Sequence, residues 1–169
     1  MDTIDIREPN DRSRPSIHDF AFDTAFRVAG MPFGIRPDTC RVTVDDDDFT
    51  AEFGPWTVAT PIGNVEGAAV TGPYALVSAI GPPHVAMGDQ GLTFATNHTL
   101  GTCVSFHAPV TGLLPFGLTT HPSLTVTVAD PTGLAELMNA IATQPREESA
   151  PTTAAVISLH DRRVGSRRP

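Results

Sequence analysis

Cys40 to Thr60 run CRVTVDDDDFTAEFGPWTVAT, and the fold turns on how this stretch alternates. Cys40, Val42 and Val44 fall on one side of an extended chain and Arg41 and Thr43 on the other, the two-residue period of a strand with one buried face. Four consecutive aspartates, Asp45 to Asp48, are too charged for any core and predict a solvated hairpin turn. Phe49, Ala51 and Phe53 then resume the alternation, Gly54-Pro55 breaks it, and Trp56, Val58 and Thr60 begin it again. Strands joined by such short breaks predict an antiparallel meander.

Outward from this stretch the period of two persists. Upstream, Phe20, Phe22, Phe26 and Val28 face Asp19, Asp23 and Arg27, which predicts an additional strand. Downstream, Pro61 to Asn64 is a bend, and Val65 to Val70 and Tyr74 to Ile80 continue the sheet as far as Gly81-Pro82-Pro83. Val85 and Met87 pair with Leu92 and Phe94 across Asp89-Gln90-Gly91, a turn at Asn97 to Gly101 leads into Cys103 to Phe106, and Leu124, Val126 and Val128 close the series. The period then changes. Asp130 suits an N-cap, Pro131 the first helical position, and Leu134, Leu137, Met138 and Ile141 form one helical stripe that packs on the sheet.

This pattern predicts a mostly β chain in three parts: an N-terminal arm over residues 1–16, a single β domain over 17–144, and a tail over 145–169. Within the tail Ala154 to Leu159 is the one apolar run, able to dock as a late strand or a short helix. The 40% hydrophobic content fills one core without disulfides or metal, and sixteen prolines with fourteen glycines suit short elements joined by turns.

All eleven basic residues are arginine. Schiff-base chemistry, a Walker-type lysine and a lysine general base are thereby excluded. From Ile17 to Gln144 three arginines stand against twelve carboxylates, a net −9 within a chain of −8 overall, so nucleic acid and anionic membrane surfaces are poor partners for the domain. With no positively charged start followed by an apolar run, and no membrane-length apolar stretch, the expected location is cytoplasmic.

The order of about seven to eight antiparallel strands followed by one capped amphipathic helix resembles the pleckstrin-homology-like bent barrel over about Cys40 to Thr143. That resemblance implies a bent sheet plugged by the helix. Its lipid-binding members hold phosphoinositides with basic residues in the loop between the first two strands, where this chain has Asp45 to Asp48, so the lipid function is not carried over. The phrases Phe53-Gly54-Pro55-Trp56, Val70-Thr71-Gly72-Pro73-Tyr74, Gly91 to Asn97 and Leu124 to Val128 are also similar to an uncharacterised family of conserved actinobacterial proteins, which brings no activity with it.

No catalytic motif stands out. Ser78, Ser105 and Ser123 lack a glycine-flanked elbow, and Cys103 and His107 lie roughly 13 Å apart along a strand. Cys40 and Cys103 read as free buried thiols. The aspartate run lacks the spacing of a calcium loop, and the histidines at 18, 84, 98, 107, 121 and 160 lack metal-ligand spacing, most of them neighbouring turn residues. Neither metal nor cofactor is expected. The apolar, aperiodic Leu113, Leu114, Phe116 and Leu118 predict a contact surface, and the leading expectation is a non-catalytic binding or scaffolding domain for a protein or an apolar small molecule. The alternative is an enzyme or ligand carrier whose pocket gathers His84, Asp89, Asn97 and Cys103 from separated strands at one barrel mouth.

Overall fold

A computed structural model describes residues 14–74, 83–85, 90–112 and 119–144. The expected N-terminal arm as far as residue 13, the tail from 145, and the strand expected beyond Tyr74 lie outside the described residues.

The three strands read from residues 40–60 are present as an antiparallel meander. Strands β1 (Ser16–Asp19), β2 (Cys40–Val44), β3 (Asp48–Phe53) and β4 (Trp56–Pro61) form a four-stranded antiparallel sheet in chain order. Val42 lies opposite Ala51, and Ala51 opposite Val58, so the apolar positions of three strands share one face. On the solvent face Arg41 stands opposite Glu52 and pairs with it at 3.1 Å. The aspartate turn closes on itself, for Asp45 Oδ1 accepts from the backbone N–H groups of Asp47 and Asp48 at 2.9 and 2.8 Å. Gly54 takes the left-handed φ of +59° that the next turn demands.

A second sheet holds β5 (Val65–Thr71), β6 (His84–Val85), β7 (Leu92–Phe94), β8 (Gly101–Thr111) and β9 (Thr120–Val126), in the order β5-β8-β9-β7-β6. It is mixed rather than antiparallel throughout, since β7 runs parallel to β9 with Leu92 opposite Leu124 and Phe94 opposite Val126. The long β8 takes the place between β5 and β9 and leaves β7 on the outer side of β9.

The expected pleckstrin-homology-like barrel is not what forms. Both sheets are open; the Phe20–Val128 bridge and the flanking bonds Ala21 N–H to Thr127 O and Ala129 N–H to Asp19 O join them at one corner, and Asn64, in the turn after β4, bonds both backbone groups of Ala108 on β8 elsewhere. Their apolar faces pack on each other instead. One core cluster takes Val42, Phe49, Phe53 and Val58 from the first sheet and Phe94, Val104, Phe106 and Leu124 from the second. Phe53 stacks on Phe94 at 4.9 Å, and Phe49 meets Phe106 at 6.0 Å.

The strand expected across Phe20 to Val28 is also corrected. Phe20 is a bridge residue, but helix α1 spans Thr24–Gly30. The helix buries Phe26 and Gly30, four apart, and leaves Val28 70% exposed. The C-terminal helix α2 (Pro131–Thr143) follows the expected signals, with Asp130 Oδ1 accepting from the Gly133 N–H at 2.9 Å. It packs on β5 and β8. Asn139 of α2 then bonds both backbone groups of Ala68 on β5, at 2.8 and 2.9 Å, as a neighbouring strand would. None of the helices among the described residues is long and apolar enough to cross a membrane.

Candidate functional site

Helix α2 carries more apolar surface than the sheets cover. Leu134 and Met138 are fully buried in the shared core, whereas Leu137 and Ile141, next round on the same stripe, are half-buried. Beside them stand Ile62, held in a 3₁₀ turn after β4, and Val44 at the end of β2. The Ile62 N–H bonds the Asp47 carbonyl at 2.8 Å, which fixes this turn against the aspartate hairpin. Together these elements enclose an open groove of about 280 Å³, with Val44, Ile62, Leu137 and Ile141 as its apolar walls and Asp45 and Asp46 on its rim. Arg14 and Gln144, at the two ends of the described domain, also line it. An apolar floor of this kind has the shape and chemistry to take an aliphatic segment.

A second polar arrangement joins three distant segments. Thr96 Oγ1 donates to Ala21 O at 2.7 Å, the Thr96 N–H to Thr127 Oγ1 at 2.8 Å, and Asn97 Nδ2 to Ala21 O at 3.1 Å. Asn97 Oδ1 in turn accepts from the Thr99 N–H and hydroxyl. With both ends of its amide committed and 3% exposure, Asn97 ties the corner where the sheets meet. Next to it His98 Nδ1 bonds Asp23 Oδ2 at 2.8 Å, on side chains 45% and 39% exposed. A carboxylate holding Nδ1 orients the ring for acid–base work at Nε2, yet the groove described above lies at α2, away from this pair.

The residues expected to form the alternative pocket are placed as follows. Asn97 belongs to the corner knot. Cys103 sits on β8, facing away from the core, in register with Thr125 on β9; Thr125 is in register with Thr93 on β7, and Thr93 with His84 on β6. His84 and Cys103 are thus in one row but three strands apart, about 14 Å. The Cys103 neighbourhood includes Tyr74, whose hydroxyl bonds Thr71 and whose pKa is raised by burial, the nearby Cys103 adding to this and the Thr71 bond opposing it. Asp89 lies outside the described residues. So do Leu113, Leu114, Phe116 and Leu118, although their stem is defined: Thr119 Oγ1 donates to Gly112 O at 2.9 Å, and Thr111 pairs with Thr120.

Both cysteines are free, and burial pushes the Cys40 thiol up, away from thiolate reactivity. Among the described residues no three His, Cys, Asp or Glu side chains converge as metal ligands. His121, buried at 2% exposure, donates from Nδ1 to the Gln90 carbonyl at 2.9 Å, while its Nε2 has no partner among the described residues. The groove and the Asp23–His98 pair escaped the sequence reading because each joins residues far apart in the chain. One local signal for the groove existed, a four-residue apolar stripe broader than one sheet contact uses.

No family model, curated protein or solved structure matches the chain. The expected resemblance to an uncharacterised actinobacterial family is corrected accordingly, and the barrel likeness falls with the open sheets.

Proposed function

We propose that this chain is a non-catalytic binding domain that takes an aliphatic protein segment in the groove between α2 and the β2–β3 turn. The observation that carries this reading is the apolar floor left by Leu137 and Ile141, with Val44 and Ile62 as its walls. The net −9 of residues 17–144 acts in the same sense, drawing a ligand with arginine or lysine beside its apolar residues. The groove is preferred as the contact to residues 113–118 because its walls and volume are defined.

Selection of a displayed library of random twelve-residue peptides against the full chain tests this. Enriched sequences are expected to carry two or three aliphatic residues next to a basic one. Ile141→Glu should abolish their binding while leaving the far-ultraviolet circular dichroism unchanged. Leu137→Glu, at the other half-buried position of the floor, should do the same. Enrichment without these features, or binding indifferent to both substitutions, overturns the reading.

A further inference from the structure

We infer that the groove takes its partner as an added β-strand, an extended aliphatic segment of another protein whose backbone pairs with the open edge of β1. This rests on the groove being a binding site and names the conformation of what enters it. Ser16 on β1 and Arg14 just before it line the groove, so the strand edge and the apolar floor belong to one place. Two backbone bonds set which way that edge points. The Asp45 N–H bonds the Asp48 carbonyl at 3.1 Å, and by the alternation of an antiparallel ladder Val42 and Val44 then turn their backbone groups toward His18 and Ser16 on β1. The Asp19 carbonyl accepts from the Ala129 N–H at 2.8 Å, on the side away from β2. Both bonds give Ile17, between Ser16 and His18, an N–H and a carbonyl directed away from β2.

Among the described residues nothing pairs with these two groups, whereas comparable ones elsewhere are covered. Asn139 bonds both backbone groups of Ala68 on β5, and Asn64 both of Ala108 on β8. Each amide fills the place of a neighbouring strand and so closes that stretch of edge to foreign chains. At β1 the ladder begun by Phe20 and Val128 breaks at Asp130, where the chain turns into α2, and α2 packs on β5 and β8 rather than along β1. An added strand continues that ladder past Ile17. Its alternate side chains then enter the groove toward Leu137 and Ile141, and the others face solvent beside Ile17, itself 59% exposed. Charge selects between possible strands. Two copies of a domain carrying a net −9 repel each other, whereas an aliphatic segment with basic residues is drawn to it.

The probe is a synthetic twelve-residue peptide of alternating valine and threonine with two arginines at each end, titrated into the full-length chain. Methylating its backbone nitrogens one at a time should abolish binding at every second position and be tolerated between, because an added strand bonds through one edge only. Ile17→Pro removes the outward N–H without touching a bond to β2, and is expected to weaken binding about tenfold with the far-ultraviolet circular dichroism unchanged. Ile17→Thr keeps the N–H and the strand propensity and should bind as the unsubstituted chain does. Hydrogen exchange at the Ile17 amide needs no substitution and should slow by about tenfold or more when the peptide saturates the chain. Methylation effects without a two-residue period, or an unmoved Ile17 exchange rate at saturation, overturn the inference. So does a chain that dimerises alone and loses its dimer with Ile17→Pro, which gives the edge to a second copy. If displayed peptides bind in a manner sensitive to Ile141→Glu while the Ile17 amide stays unprotected, the binding domain stands and only the added strand fails. If neither the displayed peptides nor this one binds, both fall.

Discussion

His18 sits half-buried on β1, its Nε2 3.0 Å from Ser16 Oγ, and burial lowers its pKa below the ordinary 6.5, partly opposed by the charge of Asp130. The folded state therefore holds fewer protons at this ring than the unfolded state just below pH 6.5. Stability is expected to fall as pH drops from about 7 through 6.5, and to level off once the folded-state value is passed. His18→Gln should remove this component, which urea titrations at pH 7.5, 6.0 and 5.0 would show as a smaller loss than in the unsubstituted chain; an identical loss would refute the assignment. Single residues differed in how far their roles were legible. Asp45 to Asp48 could only be a turn, because four adjacent carboxylates have no buried solution. His98 read as one more loop histidine, because its partner Asp23 is seventy-five positions away and only the corner between the sheets joins them.

Among the elements, α2 was legible down to its cap, since Asp130, Pro131 and the leucine stripe are local signals that need no tertiary partner. The segment from Phe20 to Val28 was not. Phe20, Phe22, Phe26 and Val28 satisfy a period of two, while Phe22, Phe26 and Gly30 satisfy a spacing of four, and packing of Phe26 against Ala95 settles the choice. The edge of β5 shows a feature no periodicity announces. Ala68 turns its backbone N–H and C=O away from β8, and Asn139 covers both. Replacing Asn139 with Ala leaves these groups to water, at a cost of about 1 kcal/mol. It also bares an edge open to pairing with another copy. Asn139→Ala is thus expected to lose stability modestly in urea and to gain a concentration-dependent larger species in sedimentation, whereas Asn139→Gln, which keeps the amide but shifts its reach, should fall between.

For the whole molecule, alternation alone does not distinguish a closed barrel from two open sheets. In either arrangement each strand turns every second residue inward, and Val42, Phe49, Val58 and Val104 would be buried in both. What decides is which edges pair, and that depends on β8 lying between β5 and β9 and on β7 running parallel to β9, neither of which leaves a local trace in sequence. The packing of the two sheets has an energetic consequence. Phe94 is fully buried and stacked on Phe53, so this ring pair, like that of Phe49 with Phe106, links the second sheet to the first, and Leu134 and Met138 bring α2 into the same cluster. Phe94→Ala should cost about 3–5 kcal/mol through lost burial and the cavity left behind. Because the cavity opens onto both sheets, hydrogen exchange of the slowest amides in β3 and in β9 should accelerate by the same factor, as in a single cooperative unit. Acceleration confined to β7, β8 and β9, with β3 unchanged, would mean that the first sheet holds its structure without the second, and that the stacked rings bring the sheets into contact without making their stabilities interdependent.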